Sequence, residues 1–578
     1  MPFNFFDDQC SRGFYQKINL GVTPPKRKKL RRAAIKRFYR LRKKVAKILK
    51  SNKSKISYTI DGWWSIGRKS YYGITAHYID SNFELQSHAL DFVPSNGSHT
   101  GKSIAKLFYN SLKKFDIDTK IQGITVDNVS ANTTFMKELH VLIPDFDEIN
   151  QHFRCFAHIL NLAVNDMLSS LDLNFQKSEE SRQITDLDED EVQLEDEDEE
   201  EHEDNGEGED SEDNEDSESE EEMEEIYLDH DNEYDDHSKK KINPVSKIRN
   251  NFVKIKNSEQ LEKRFKCSCE AANIDFKKKV VLDVKTRWNS THDMLGIALE
   301  AKKGLNVLCN QADLKNFKLN DEEWYLIKTV HEFLKKFKRL SVKLGGEKYV
   351  TLQSVIISIN TLLDNIEKKV FELDNKPDRS NVDEIILVAL QKARDKILKH
   401  YNKANWVYGA VLILDPRHKV AGFNMKPWGK ELKKKSLETF KKLLKQYETE
   451  FVPENHEDKK NENAHLNDDE SDTDECYLQA SKEIENNATK EFNEYINEQR
   501  CAVNEDILSW WRKNCHRFPI LALMARDLFS ITATSVPAER LFSQAALIIR
   551  KSRASLNNES ARVLLCLNSW LKQSHIIN

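Results

Sequence analysis

The sequence predicts an α/β domain combined with a large all-α portion, and three observations carry that prediction. Three β-rich segments lie close together early in the chain, followed by a helical stretch and one buried strand. From about 245 to 445, apolar residues recur almost everywhere at helical spacing. Two acidic stretches without core-forming residues separate the parts and read as a disordered insert and a linker.

The first element is basic. Residues 24–50 read PPKRKKLRRAAIKRFYRLRKKVAKILK, with Leu30, Ala34, Phe38, Leu41, Val45 and Ile48 at helical spacing. They predict an amphipathic helix within a basic N-terminal segment, 1–54. Its start, PKRKKLRR, also reads as a nuclear-localisation signal and predicts a nuclear protein. A plain helix with a solvated face is compatible with both. Within 55–177, KISYTIDGWW, YYGITAHYID and ELQSHALDFV predict three strands, and Thr100 to Phe115 a helix. IQGITVDN predicts a buried strand ending in an Asp-Asn turn, and RCFAHILNLAVNDML a helix. A meander of strands followed by a helix and a central strand suits a ribonuclease-H-like α/β sheet. Residues 178–244 form the acidic insert, 245–449 a helical domain, 450–476 a shorter acidic linker, and 477–578 a helical C-terminal part.

Charge narrows the partners. The whole chain of 578 residues carries a formal −6, yet residues 186–236 hold 32 Asp or Glu and no Lys or Arg. With that segment set aside, the remaining formal charge is +26. Such an excess predicts a polyanionic partner, most simply nucleic acid, although solubility alone is the plainer reading. No run of about 18 apolar residues occurs, so no membrane-spanning helix is expected. The N-terminus does not resemble a secretory signal, and nine scattered cysteines suit a reduced compartment. No glycine-rich phosphate loop appears, so nucleotide hydrolysis is not expected. Cys267 and Cys269 stand alone as Cys-x-Cys and predict no metal site.

Three carboxylates are candidates for chemistry. Asp61 follows the strand KISYTI and Asp127 follows GITV. If those strands are neighbours, the two carboxylates make a hard-oxygen site suited to Mg²⁺ or Mn²⁺. Each Asp taken singly reads as a turn or capping residue. Glu539, in TATSVPAERLFSQAALIIRKSRASL, lies near the start of a predicted helix with Ser535 as N-cap and Pro537 in the first turn. Alone it reads as an acidic residue at the positive end of a helix.

TIDGWWS, GITVDN, RCFAHILNL, TRWNST, LILDPRHK and SVPAERLFSQAALIIRKSRASLNNESARVLLCLNSWL occur in the order found in hAT transposases, and the chain resembles that family over most of 20–175 and 245–575. The C-terminal stretch is the most specific and looks like the family's dimerisation region. The resemblance implies a ribonuclease-H-like catalytic domain interrupted by a large helical insertion. It implies an acidic triad of Asp61, Asp127 and Glu539 holding Mg²⁺ or Mn²⁺ for DNA cleavage and strand transfer, and a homodimer or higher oligomer. It matches Cys155 and His158 to a Cys-x-x-His motif, and Arg287 and Trp288 to an Arg-Trp motif. Cys155 and His158 are three apart on a helix and share a face, with packing or DNA-end positioning as their roles. Arg287 pairing with a phosphate and Trp288 stacking on a flipped base are expected, with helix packing the alternative for Trp288. Of the apolar residues Phe542, Ile549, Val563, Leu564, Leu567, Trp570 and Leu571, some are expected to close the catalytic domain and the rest to form an intermolecular patch.

The family usually begins with a BED-type zinc finger, whereas here only Cys10 precedes Cys155, and no such finger is expected in this chain. Two further readings stand beside the transposase: a catalytically silent, domesticated nuclear DNA- or protein-binding factor, and a cellular ribonuclease-H-type nuclease, against which the C-terminal region argues.

Overall fold

A basic helix, α1 (Arg27–Ser51), opens the computed structural model, which describes residues 25–65, 68–95, 99–171, 243–284, 288–311, 313–401, 406–424, 429–450, 488–549, 556–573 and 576. The acidic insert and the acidic linker lie almost wholly outside the described residues, as do Cys10 and Arg287. In α1 the buried residues are Phe38, Leu41, Val45 and Leu49, one stripe at helical spacing. The Lys120 ammonium donates to the carbonyls of Leu49, Lys50 and Asn52 and so satisfies the helix C-terminus.

Strands β1 (Ile56–Trp64), β2 (Ser70–Ile79) and β3 (Leu85–Pro94) form an antiparallel meander. After α2 (Gly101–Lys113), capped by Thr100, strand β4 (Ile121–Val126) returns parallel to β1. Helix α3 (Ser130–Leu142) leads to β5 (His152–Arg154), parallel to β4, and then to α4 (Phe156–Leu171). The sheet order is β3-β2-β1-β4-β5, a mixed sheet of five strands. Helix α4 meets the expectation over RCFAHILNLAVNDML, and the fifth strand, just before it, was not expected. Its three residues are too few for a visible alternation, and they are strand only because β4 offers them a free edge.

Alternation assigns the two faces. Ile56, Tyr58 and Ile60 of β1 join a core with α1, α2 and α3. Ser57 and Thr59 lie on the opposite face, where the Ser57 and Ser530 hydroxyls meet at 2.7 Å. A parallel consequence holds on β4, whose Thr125 hydroxyl donates to the Thr532 carbonyl at 2.9 Å.

The rest is helical: α5 (Pro244–Asn257), α6 (Glu259–Ala271), α7 (Trp288–Glu300), α8 (Lys302–Leu308), α9 (Asp321–Leu344), α10 (Val355–Asp374), α11 (Asn381–Tyr401), α12 (Val407–Leu414) and α13 (Gly429–Glu450). Asn320 and Glu323 form a reciprocal capping box at the start of α9. Every residue of α12 is buried, so it is a core helix with no polar face. A helical stretch over 488–497 precedes α14 (Ile507–Asn514), α15 (Pro519–Leu528), α16 (Val536–Ile548) and α17 (Asn558–Trp570). The described residues of 25–171 and 244–576 pack as one unit. Among them no helix is long and apolar enough to cross a membrane.

The C-terminal helices close the sheet. Trp570 donates its indole N–H to the Ala89 carbonyl at 2.8 Å and stacks on Phe38 of α1 at 5.2 Å. Phe542, Ile549, Val563, Leu567 and Trp570 are all buried within the chain's own core. Leu564 is half-buried and Leu571 is exposed. The apolar set expected to be divided between core and partner therefore falls mostly on the core side, because the sheet leaves an open face that these helices cover.

Candidate active site

The site is built where strands end. Thr59 of β1 pairs in parallel register with Thr125 of β4. Two residues further along each chain come Asp61 and Asp127, so both continue the face of the sheet that carries Ser57, Thr59 and Thr125. The same face receives residues 530–542. Their backbone is pinned by Thr125, by the Phe156 N–H donating to the Ala533 carbonyl at 3.1 Å, and by the Ala533 N–H donating to the Thr351 hydroxyl at 3.0 Å.

Glycine fixes the third carboxylate. Gly73 of β2 pairs with Asp61 across the ladder. A Cβ at Gly73 would lie 2.8 Å from Cε1 of Phe542. Only glycine lets that ring seat on the strand, where it stacks on Trp63 with centroids 6.1 Å apart. Glu539 is one helical turn before Phe542 and shares its face. Seating Phe542 over Gly73 thus brings Glu539 towards Asp61.

The charges of Asp127 and Glu539 both bear on Asp61. The Asp61 carboxyl is held well above the ordinary carboxylate range, first by burial, then by the charges of Asp127 and Glu539. The Gly62 N–H donates to Asp61 Oδ1 at 2.8 Å and opposes the shift. Asp127 accepts from the Ser535 hydroxyl at 3.0 Å, and His158 Nδ1 lies 3.7 Å from its Oδ2. Its backbone carbonyl accepts from the Asn132 amide at 2.9 Å. Ser535, expected to cap α16 with its side chain, makes no cap hydrogen bond, because its hydroxyl is turned to Asp127. Among the described residues, no group of three or more His, Cys, Asp or Glu side chains stands in metal-holding geometry.

The remaining expected residues divide. Cys155 is fully buried and accepts from the Ser535 N–H at 3.3 Å, and burial raises its thiol. It acts as a bracket between β5 and the segment before α16, while His158 on the next turn of α4 faces Asp127. Of the two readings of Trp288, the structure takes helix packing: it is 5% exposed and meets Phe337 edge-on at 6.4 Å, so its ring is not presented to a base. Burial of Cys269 beside Gly304, with Cys267 exposed, leaves no shared site for that pair. Sequence reasoning missed Gly73 and Asn132, whose roles arise from strand register and from a loop closing on itself. Arg540 was missed too: it pairs with Glu347 at 2.7 Å and donates to the Gly345 carbonyl, tying α16 to the loop after α9.

Comparison with known proteins supplies the lineage. Residues 59–152 match the ZBED1 RNase-like domain, 236–333 the ZBED1 RNase-like helical domain, and 491–571 the hAT family C-terminal dimerisation region. The chain is 25% identical to a putative AC transposase of Zea mays, over 99% of this chain and 64% of the relative. It is 24% identical to a putative transcriptional regulator of Talaromyces stipitatus, over 89% of this chain and 53% of the relative. It is 22% identical to the zinc finger BED domain-containing protein RICESLEEPER 2 of Oryza sativa, over 90% of this chain and 65% of the relative. The chain thus spans between 53% and 65% of the length of these relatives. Three family models match in chain order, the last on the helices that carry Glu539 and close the sheet: the chain carries a hAT family C-terminal dimerisation region and is similar to hAT transposases.

Proposed function

We propose that the protein is a DNA-cleaving and strand-transferring transposase whose acidic residues are Asp61, Asp127 and Glu539. The observation that carries this reading is the like-charge pressure on Asp61 from the other two carboxylates at the strand ends. Carboxylates set against one another are costly to a fold, and such clusters concentrate at functional sites. In this reading the sheet of 56–154 and the helices after 507 form one ribonuclease-H-like domain, with the helices from 244 to 450 inserted between its parts.

The donor set fits a hard divalent cation, Mg²⁺ or Mn²⁺, by its chemistry: three carboxylates, one of them raised by its neighbours. Asp61 and Asp127 are the first holders and Glu539 completes the set. When bound, such ions supply an activated nucleophile and stabilise the leaving oxygen of a phosphodiester. The chain's own residues do the positioning. The Ser535 hydroxyl and His158 orient Asp127, and the Phe542–Gly73 contact sets Glu539. The chain acts as a homodimer in the nucleus, on duplex DNA.

A second reading, a catalytically silent nuclear DNA- or protein-binding factor, is favoured by one observation: no three such side chains stand in metal-holding geometry among the described residues. A supercoiled plasmid incubated with Mg²⁺ or Mn²⁺ separates the two. Nicking by the wild type, lost in Asp61→Asn, Asp127→Asn and Glu539→Gln while DNA binding survives, supports the enzyme. Intact binding with no nicking by the wild type supports the binding factor.

A further inference from the structure

The outer face of α1 carries Lys29, Arg32, Lys36, Arg40, Lys43 and Lys47, all exposed. Their spacings are three or four residues throughout, so they form one continuous row. The row lies opposite the buried stripe of Phe38, Leu41, Val45 and Leu49. From Lys29 to Lys47 it runs about 27 Å at the rise of an α-helix.

Three features set this row apart from an ordinary solvated face. First, α1 contains no Asp or Glu, so no residue of the helix offsets repulsion between cations a turn apart. Second, none of the six pairs with a carboxylate among the described residues, whereas the flanking cations do: Arg31 binds Glu559 at 2.7 Å and Lys50 binds Asp116. The flanks hold the helix, and the outward row is left unneutralised. Third, the mount is firm. Phe38 stacks on Trp570, Arg31 donates to Ser560 and Glu559 at the start of α17, and Lys120 ties down the helix C-terminus.

We propose that this row is a track for the phosphate backbone of duplex DNA, an inference that rests on the DNA-acting reading above. A straight row of cations on a fixed rod matches a straight polyanion, whose duplex carries one charge per about 1.7 Å of axis. The row meets phosphate oxygens, so it positions DNA without reading its sequence. A membrane surface fits poorly, because the apolar side that would enter lipid is already covered by α17 and the sheet. A nuclear transport receptor is the other protein-side reading of the same basic run, and the test separates it.

The experiment uses the full chain, fluorescently labelled duplex DNA and anisotropy titrations across a range of salt. The variant carries Lys29→Gln, Arg32→Gln, Lys36→Gln, Arg40→Gln, Lys43→Gln and Lys47→Gln together. Glutamine keeps helix propensity, and circular dichroism checks the fold. The slope of log K against log salt should flatten by about 0.9 for each phosphate that the variant no longer neutralises, and so by about 3 or more in all. Single substitutions, each flattening the slope by about 0.9 or less, give the same reading should the six-fold variant fold poorly. Wild-type slope in a folded variant overturns the track and leaves the DNA reading standing. Loss of nuclear accumulation with an unchanged slope overturns it in favour of a transport receptor. A wild type that does not bind DNA at all overturns the DNA reading itself.

Discussion

Asp91 and Asp61 lie on β3 and β1, either side of β2, and their surroundings are opposite. Asp91 is 1% exposed and accepts two N–H bonds from Arg562, at 2.5 and 2.6 Å. Ser111 donates to it at 3.2 Å and Lys114 stands 3.7 Å away. Asp61 receives one backbone N–H and faces two more carboxylates. The buried Asp91 charge is matched and locks α17 to the sheet; the half-buried Asp61 charge is opposed. A fold keeps a buried ion pair because removing either member strands the other. An opposed cluster has no such lock, and under the proposed function that difference separates scaffold from chemistry on a single sheet.

Asp91 is where the contrast is easiest to overturn. Asp91→Ala leaves the Arg562 guanidinium without its partner in a largely buried site, and should lower the free energy of unfolding by about 3–5 kcal/mol. Urea unfolding measures it, and a loss under about 1 kcal/mol would remove the contrast. A smaller effect is expected at the seat of α16. Gly73→Val drives a side chain into Phe542 and should lower stability by about 1–3 kcal/mol. Metal-dependent nicking should fall further than DNA binding, since Glu539 is displaced and α1 is not. Equal losses of both activities would show that Gly73 is structural only.

Asp61 itself should behave in the opposite sense to Asp91. Its carboxyl is raised in the folded chain, so ionisation disfavours the folded state. Stability is then lost as pH rises above the unfolded carboxyl value and through the raised folded one. In EDTA, Asp61→Asn should therefore raise the melting temperature at neutral pH, and the gain should vanish as pH falls into the ordinary carboxylate range. A variant less stable than wild type at about pH 8 without metal would mean that the three carboxylates do not oppose one another. The smallest stability effect belongs to the surface of the C-terminal helices. Leu547 is 61% and Leu571 41% exposed. Leu547→Glu with Leu571→Glu should change stability by no more than about 0.5 kcal/mol each. Light scattering should nonetheless show weaker self-association. An undiminished dimer would place the interface elsewhere.

Much of the arrangement was legible in the chain. β-rich composition in KISYTIDGWW, YYGITAHYID and ELQSHALDFV and the buried run IQGITVDN marked four strands, and helical spacing marked α1, α9 and α11 within a few residues. Asp61 and Asp127 were visible because each directly follows an apolar run, a position set by local pattern. Glu539 was not distinguishable from a helix-start acid without the family resemblance, because 411 residues or more separate it from its neighbours in space. β5 and Gly73 carried no local signal at all.

Period and composition were enough to mark which segments are strand and helix, where charge collects, and which face of α1 is basic, since each of these is a property of neighbours along the chain. Packing settled that Trp288 is core, that the apolar residues of α17 are mostly used within the chain, and that Ser535 turns from its helix to Asp127. Packing also gave Asp91 a cation and Asp61 two anions. Those outcomes depend on which element fills the space beside a side chain. For the sheet and its carboxylates the fillers, α16 and α17, come from the far end of the chain, where no window of neighbouring residues reaches.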